Sequence, residues 1–169
     1  MMIEWEEDKR WSDIFIPEIK SILGQLLIGE ASVEDDQLKN TDLIVLELKG
    51  YRIGCRVRKH FYFIQYPNDF TIRCSRPSGV STEFDKIMEG WGDYLFYAFA
   101  NKEENRLIAW KLIDLEQFRE YVKWYWKENN GIIPGKEISN TDGSSVFRAF
   151  DSTKDGKAMR FVIPHSWDD

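Results

Sequence analysis

Residues 41–58, TDLIVLELKGYRIGCRVR, carry the reading of the fold. Asp42 opens an apolar run over 43–48, Gly50-Tyr51 marks a tight turn, and a second run ends in Arg56-Val57-Arg58. Two such runs about a glycine-containing turn predict a β-hairpin, 43–48 against 52–59. The two-residue period of a strand sets Arg52, Gly54, Arg56 and Arg58 on one face. It sets Ile53, Cys55 and Val57 on the other, predicted as the core face. With a two-residue turn, Asp42 pairs across from Lys59 on the face opposite the arginines. A three-residue turn or a bulge reverses that relation.

Working outward, Phe15, Ile16, Ile19, Ile22, Leu23, Leu26 and Leu27 recur at helical spacing. Pro17 suits a first turn, and Gly29 a helix end, so a helix is predicted from Ser12 or Ile16 to Ile28. Residues 30–40 are polar and acidic and predict a loop. Residues 60–65 read as an extension of the arginine strand, and Pro67-Asn68-Asp69 as a turn. The alternation over 70–75 predicts a third, half-buried strand.

Thr82 with Asp85 makes a capping box for a helix whose apolar face would hold Phe84, Ile87, Met88 and Trp91. Gly90 and Gly92 stop it. Strands are predicted over 93–100 and 106–113, then a helix capped by Asp114 and running to about Lys127, with Leu115, Phe118 and Val122 inward. Residues 128–135 read as loop, and 144–151 with 158–164 as a terminal hairpin around Lys154-Asp155-Gly156. The order predicts an α+β fold: one domain over 1–169, its core about 12–127, with a central, mostly antiparallel or mixed sheet flanked by helices.

The 169 residues, 43% hydrophobic and 15% aromatic, suffice for one core. MMIEWEEDKRWSD at the start is acidic and polar, unlike a signal or transit peptide, and no apolar run is long enough to span a bilayer. Cys55 and Cys74 have neither metal-type spacing nor a disulfide framework, which predicts a reduced, cytoplasmic protein without a membrane partner. Net charge is −6, against indiscriminate coating of nucleic acid. Between Lys49 and Arg76, however, seven Lys/Arg face one acid, Asp69. That concentration fits a phosphate site, a docking patch for an acidic protein, or a solvated strand face. Only two histidines occur, and no glycine-rich phosphate loop appears.

An aspartate-led strand, a turn and a strand bearing charged residues at alternate positions, preceded by a helix with Glu18 and followed by a helix from Thr82 and then Asp93-Tyr94, resemble the PD-(D/E)XK nuclease-like superfamily over about 12–113. The resemblance implies a restriction-endonuclease-like core. It implies Asp42 as a metal ligand, Glu18 as an auxiliary helical acid, and an acid and a lysine at the positions of Arg56 and Arg58. Arginines there are a departure: Arg56 cannot ligate a metal, and Arg58 stays protonated and grips phosphate rather than acting as base. Catalysis with Mg²⁺ or Mn²⁺ would then need a migrated acid, Glu83, beside Asp42. A competing register places the motif at Asp36, Glu47 and Lys49. The middle region also looks like small uncharacterised proteins of bacteriophages and prophages.

The residues themselves predict a basic floor of Arg52, Arg56, Arg58, Arg73 and Lys86 for DNA or RNA, with Gly54 leaving room for a phosphate backbone. Salt bridges to Asp42, Glu47, Glu83 or Asp93 are the rival use of those cations. Trp110, Trp124 and Trp126 could stack bases, but aromatics at such spacing are more often core. Two functions follow: a nuclease-fold protein that binds nucleic acid, with or without cutting, or a protein–protein module acting on a host protein.

Overall fold

The computed structural model describes residues 2–30, 43–45, 50–75, 78–140, 143–154 and 162–166. Helices α1 (Met2–Asp13) and α2 (Ile16–Leu27) lead into β1 (Ile28–Glu30) and β2 (Leu43–Val45). Then come β3 (Ile53–Arg58), α3 (His60–Gln65), β4 (Asp69–Ser75) and α4 (Glu83–Met88). Strands β5 (Tyr94–Ala100) and β6 (Leu107–Asp114) precede α5 (Leu115–Glu128), and β7 (Lys136–Ser139), β8 (Val146–Asp151) and β9 (Val162–Ser166) complete the order.

The fold is α+β, as the sequence predicts, but the strands are divided among sheets rather than gathered into one. β3-β5-β6-β9 form a four-stranded mixed sheet, β4-β8-β7 a three-stranded one, and β1-β2 a two-stranded ribbon. Strand β5 reads YLFYAFA and is buried on both faces, the continuous apolar pattern of a central strand covered on each side. Its register with β6 sorts the two faces. Phe96, Ala98 and Trp110 pack with Phe15, Ile19 and Ile22 at the start and along the inner side of α2. Leu95, Tyr97, Phe99 and Ile113 face the other way, onto Phe70, Ile72 and Phe150 of the second sheet and Phe118, Tyr121 and Val122 of α5. The four-stranded sheet is thus the middle layer.

Several local predictions hold. Thr82 and Asp85 form the capping box of α4, and Asp114 caps α5 by accepting from the N–H groups of Glu116 and Gln117. Gly90 and Gly92 adopt φ of 95° and 82° where α4 ends, a conformation open to glycine at little cost.

The pairings differ. Residues 43–45 pair with 28–30, while β3 lies parallel to β5, Arg56 opposite Tyr97 and Arg58 opposite Phe99. The expected 43–48/52–59 hairpin is therefore not formed by the described residues, and its Asp42–Lys59 pairing lies outside them. Residues 60–65 are helical rather than extended. Nor do the described residues form the expected terminal hairpin: β8 pairs with β4 and β7, whereas β9 pairs with β6.

Candidate functional site

β3 carries Arg56 and Arg58 on the side of Tyr97 and Phe99, facing the second sheet. The guanidinium of Arg56 donates from Nη1 to the Thr71 carbonyl (3.1 Å) and from Nη2 to Glu83 Oε2 (2.7 Å). The same carboxylate oxygen accepts the Arg73 backbone N–H at 3.1 Å. Glu83 opens α4, where the Thr82 capping box sets the direction of the first turn, so its carboxylate joins β3, β4 and α4 at one point. The Thr71 hydroxyl reaches the Tyr97 hydroxyl (3.2 Å) beneath this junction. Burial of that phenol raises its pKa.

Arg73 extends its guanidinium to 5.1 Å from the Phe147 ring centroid, and Arg56 approaches the same ring at 6.0 Å. Both distances are in the range of cation–π attraction. Gly54, Arg56, Arg73, Glu83, Lys86 and Trp91 line a cleft of about 440 Å³ between β3, α4 and the turn that follows it. Lys86 is exposed on that wall. At the mouth, Asp93 accepts the Arg52 backbone N–H at 2.7 Å and lies 3.5 Å from its Nε. These contacts, the backbone one foremost, lower the pKa of Asp93. Arg52 also lies 5.7 Å from the Trp91 ring centroid.

Four predicted residues, Arg56, Arg73, Glu83 and Lys86, meet in this cleft, and Arg52 stands at its edge. Arg58 does not join them: its guanidinium stacks 4.0 Å over Tyr62 of α3, because residues 60–65 coil back beside the strand end. Arg56, not Arg58, is the cation that pairs with Glu83. Glu18 accepts the Leu107 backbone N–H at 2.9 Å, from α2 on the opposite side of the middle sheet, so it shares no site with Glu83. Asp42, and the alternative set Asp36, Glu47 and Lys49, lie outside the described residues. Among the described residues no group of three His, Cys, Asp or Glu is placed to hold a metal.

Trp91 is the residue that sequence reasoning misplaced. It was expected on the buried face of α4 and is instead 63% exposed. The signal was present in Gly90-Trp91-Gly92, since two left-handed glycines turn the chain away from the helix axis. Trp110 is buried against Phe96, while Trp124 and Trp126 are exposed on α5. No helix among the described residues is long and apolar enough to cross a membrane.

The Glu83 junction makes a measurable contribution. Both partners of the Arg56–Glu83 pair are mostly buried, at 22% and 26% side-chain exposure. Glu83→Ala leaves a guanidinium and a strand N–H short of an acceptor, a loss of about 1–3 kcal/mol. Urea unfolding of the variant should show that decrease; a change within about 0.5 kcal/mol, as at ordinary surface sites, would mean the junction holds nothing together.

No protein-family model, curated protein or solved structure matches the chain.

Proposed function

We propose that this protein binds DNA or RNA in the cleft between β3 and α4, without needing to cut it. The observation that carries the reading is the convergence of Arg56, Arg73 and Lys86 on one concave surface. Arginine offers a planar fork of donors to phosphate and lysine a mobile point charge. Glu83 spends its charge on the Arg56 guanidinium and the β4 backbone, which supports a positioning role over metal ligation. Kinship with PD-(D/E)XK nucleases stays part of the proposal. In its catalytic form Asp42 would bring Mg²⁺ or Mn²⁺ together with Glu83, displacing Arg56 from the carboxylate.

The test is fluorescence anisotropy with labelled DNA and RNA at salt from about 50 to 200 mM, alongside a cleavage assay with Mg²⁺, Mn²⁺ or EDTA. Phosphate contacts predict a linear fall of log affinity with log salt. Arg73→Ala with Lys86→Ala should flatten that slope by nearly two contacts and weaken binding about tenfold or more at low salt. Absence of binding even at low salt would defeat the proposal. Metal-dependent cutting that Asp42→Ala abolishes would replace binding with catalysis.

A second reading has its own observation. Phe61 and Ile64 of α3 are 63% and 62% exposed, beside the cations Arg58 and Lys59. Such a patch suits an acidic protein partner with an apolar centre. Binding that depends on Phe61 and Ile64, with no affinity for nucleic acid, would favour it.

A further inference from the structure

Resting on the nucleic-acid reading above, we infer that the ligand is single-stranded and that an unpaired base stacks on Trp91. Tryptophan is among the most costly side chains to leave in water, since its burial removes about 150–250 Å² of surface. Here the chain takes special measures to present it. The Trp91 N–H is held by the Lys86 carbonyl (2.9 Å) and the Gly90 N–H by that of Ile87 (3.0 Å). Glycines of positive φ stand on both sides. Gly92 is doubly constrained, because a Cβ there would meet the Leu115 side chain at 3.1 Å. The indole is thus carried on a defined turn and not on a loose loop.

Its position is braced as well. Arg52 lies against the ring, and Asp93 fixes Arg52 through two contacts. Trp91 is 63% exposed and stands at a cleft that Arg73 and Lys86 also line. Beside it, Tyr94 lines the cleft and packs edge-on against the exposed Tyr51 at 5.4 Å. Aromatic surface next to phosphate-binding cations is the arrangement that holds a single strand, whose bases are free to turn outward. A duplex keeps its bases stacked inside, and a cleft of about 440 Å³ is of small-ligand size, with room for a nucleotide unit and not for a double helix.

The experiment compares a labelled single strand, the same sequence as a duplex, and a strand carrying abasic sites, in DNA and RNA forms, at about 50 mM salt. Wild type should bind the single strand at least about tenfold more tightly than the duplex. Trp91→Leu should weaken single-strand binding by about 5- to 150-fold, the range of one stacked base, with the salt slope unchanged. Trp91→Phe should recover most of the loss, and abasic strands should bind wild type as weakly as intact strands bind Trp91→Leu. The indole touches little of the core, so both variants should keep the wild-type melting temperature. Equal affinity for duplex, or a Trp91→Leu variant that binds normally, would overturn the stacking inference and leave nucleic-acid binding standing. No binding to any strand would remove both.

Discussion

Phe70→Ala is expected to destabilise the protein by about 3–5 kcal/mol, the range for emptying a fully buried aromatic site. The ring has no solvent exposure. It stacks on Phe150 at 5.3 Å and 20°, and meets Phe118 edge-on at 6.0 Å and Tyr97 at 6.4 Å. One side chain of β4 therefore joins β8, α5 and β5. The neighbours are rigid rings on separate elements, so they can close only part of the void. Domains of this size have about 5–15 kcal/mol in total, and the variant should unfold at much lower urea concentration. A loss below about 1 kcal/mol would show that the rings collapse into the space. Val80→Ala, at a residue 58% exposed, supplies the near-neutral control.

The second large effect concerns pH. Lys111 is 6% exposed, on the core side of β6. Its Nζ donates to the carbonyls of Pro67 (2.6 Å) and Asp69 (3.3 Å) and lies 4.9 Å from the Phe99 ring centroid. Burial lowers its pKa from 10.5 to about 8, with Asp69 and Asp151 opposing. Below pH 8 both folded and unfolded chains carry the proton, and the full cost of the buried charge is present. Between about pH 8 and 10.5 the unfolded chain holds more protons than the native one, so stability rises with pH.

Relative to Lys111→Met, wild type should gain about 3 kcal/mol across that window. The comparison between variants matters, because Cys55, Cys74 and Tyr97 have raised pKa values. Those groups lose stability as pH climbs through the same region in both proteins, and the Lys111 gain is read as the difference between them. Urea midpoints at pH 7.5 and 10.5 decide the matter. A difference between the two proteins that does not change with pH would mean that Lys111 titrates as an ordinary exposed lysine.

Local chemistry was legible in the sequence and pairing was not. The β4, β5 and β6 patterns, the Thr82 and Asp114 caps and the Gly90 stop each rest on neighbours a few residues apart. Which strands meet depends on contacts across the chain. Gly50 with flanking apolar runs is a fair hairpin signal, yet β3 lies beside β5, where Val57 reaches the core under α2. His60–Gln65 is aromatic and β-prone by composition, but none of its residues is fully buried, so no sheet claims it. At the site, Arg56, Arg73, Glu83 and Lys86 were legible as charges converging from three elements. Glu18 was not, because a carboxylate serving a strand N–H and one serving a metal look alike in a sequence.

The order in which strands are dealt to the two larger sheets has a consequence for cooperativity. β4 leaves the four-stranded sheet between β3 and β5, and β7 and β8 leave it again between β6 and β9. Neither sheet is encoded by one continuous segment. The chain is stitched back and forth between the layers, so an intermediate with one sheet complete must close loops that contain strands of the other. Unfolding is then expected to propagate through both layers in a single transition, and the cleft, whose walls come from both sheets, should vanish with it and not before.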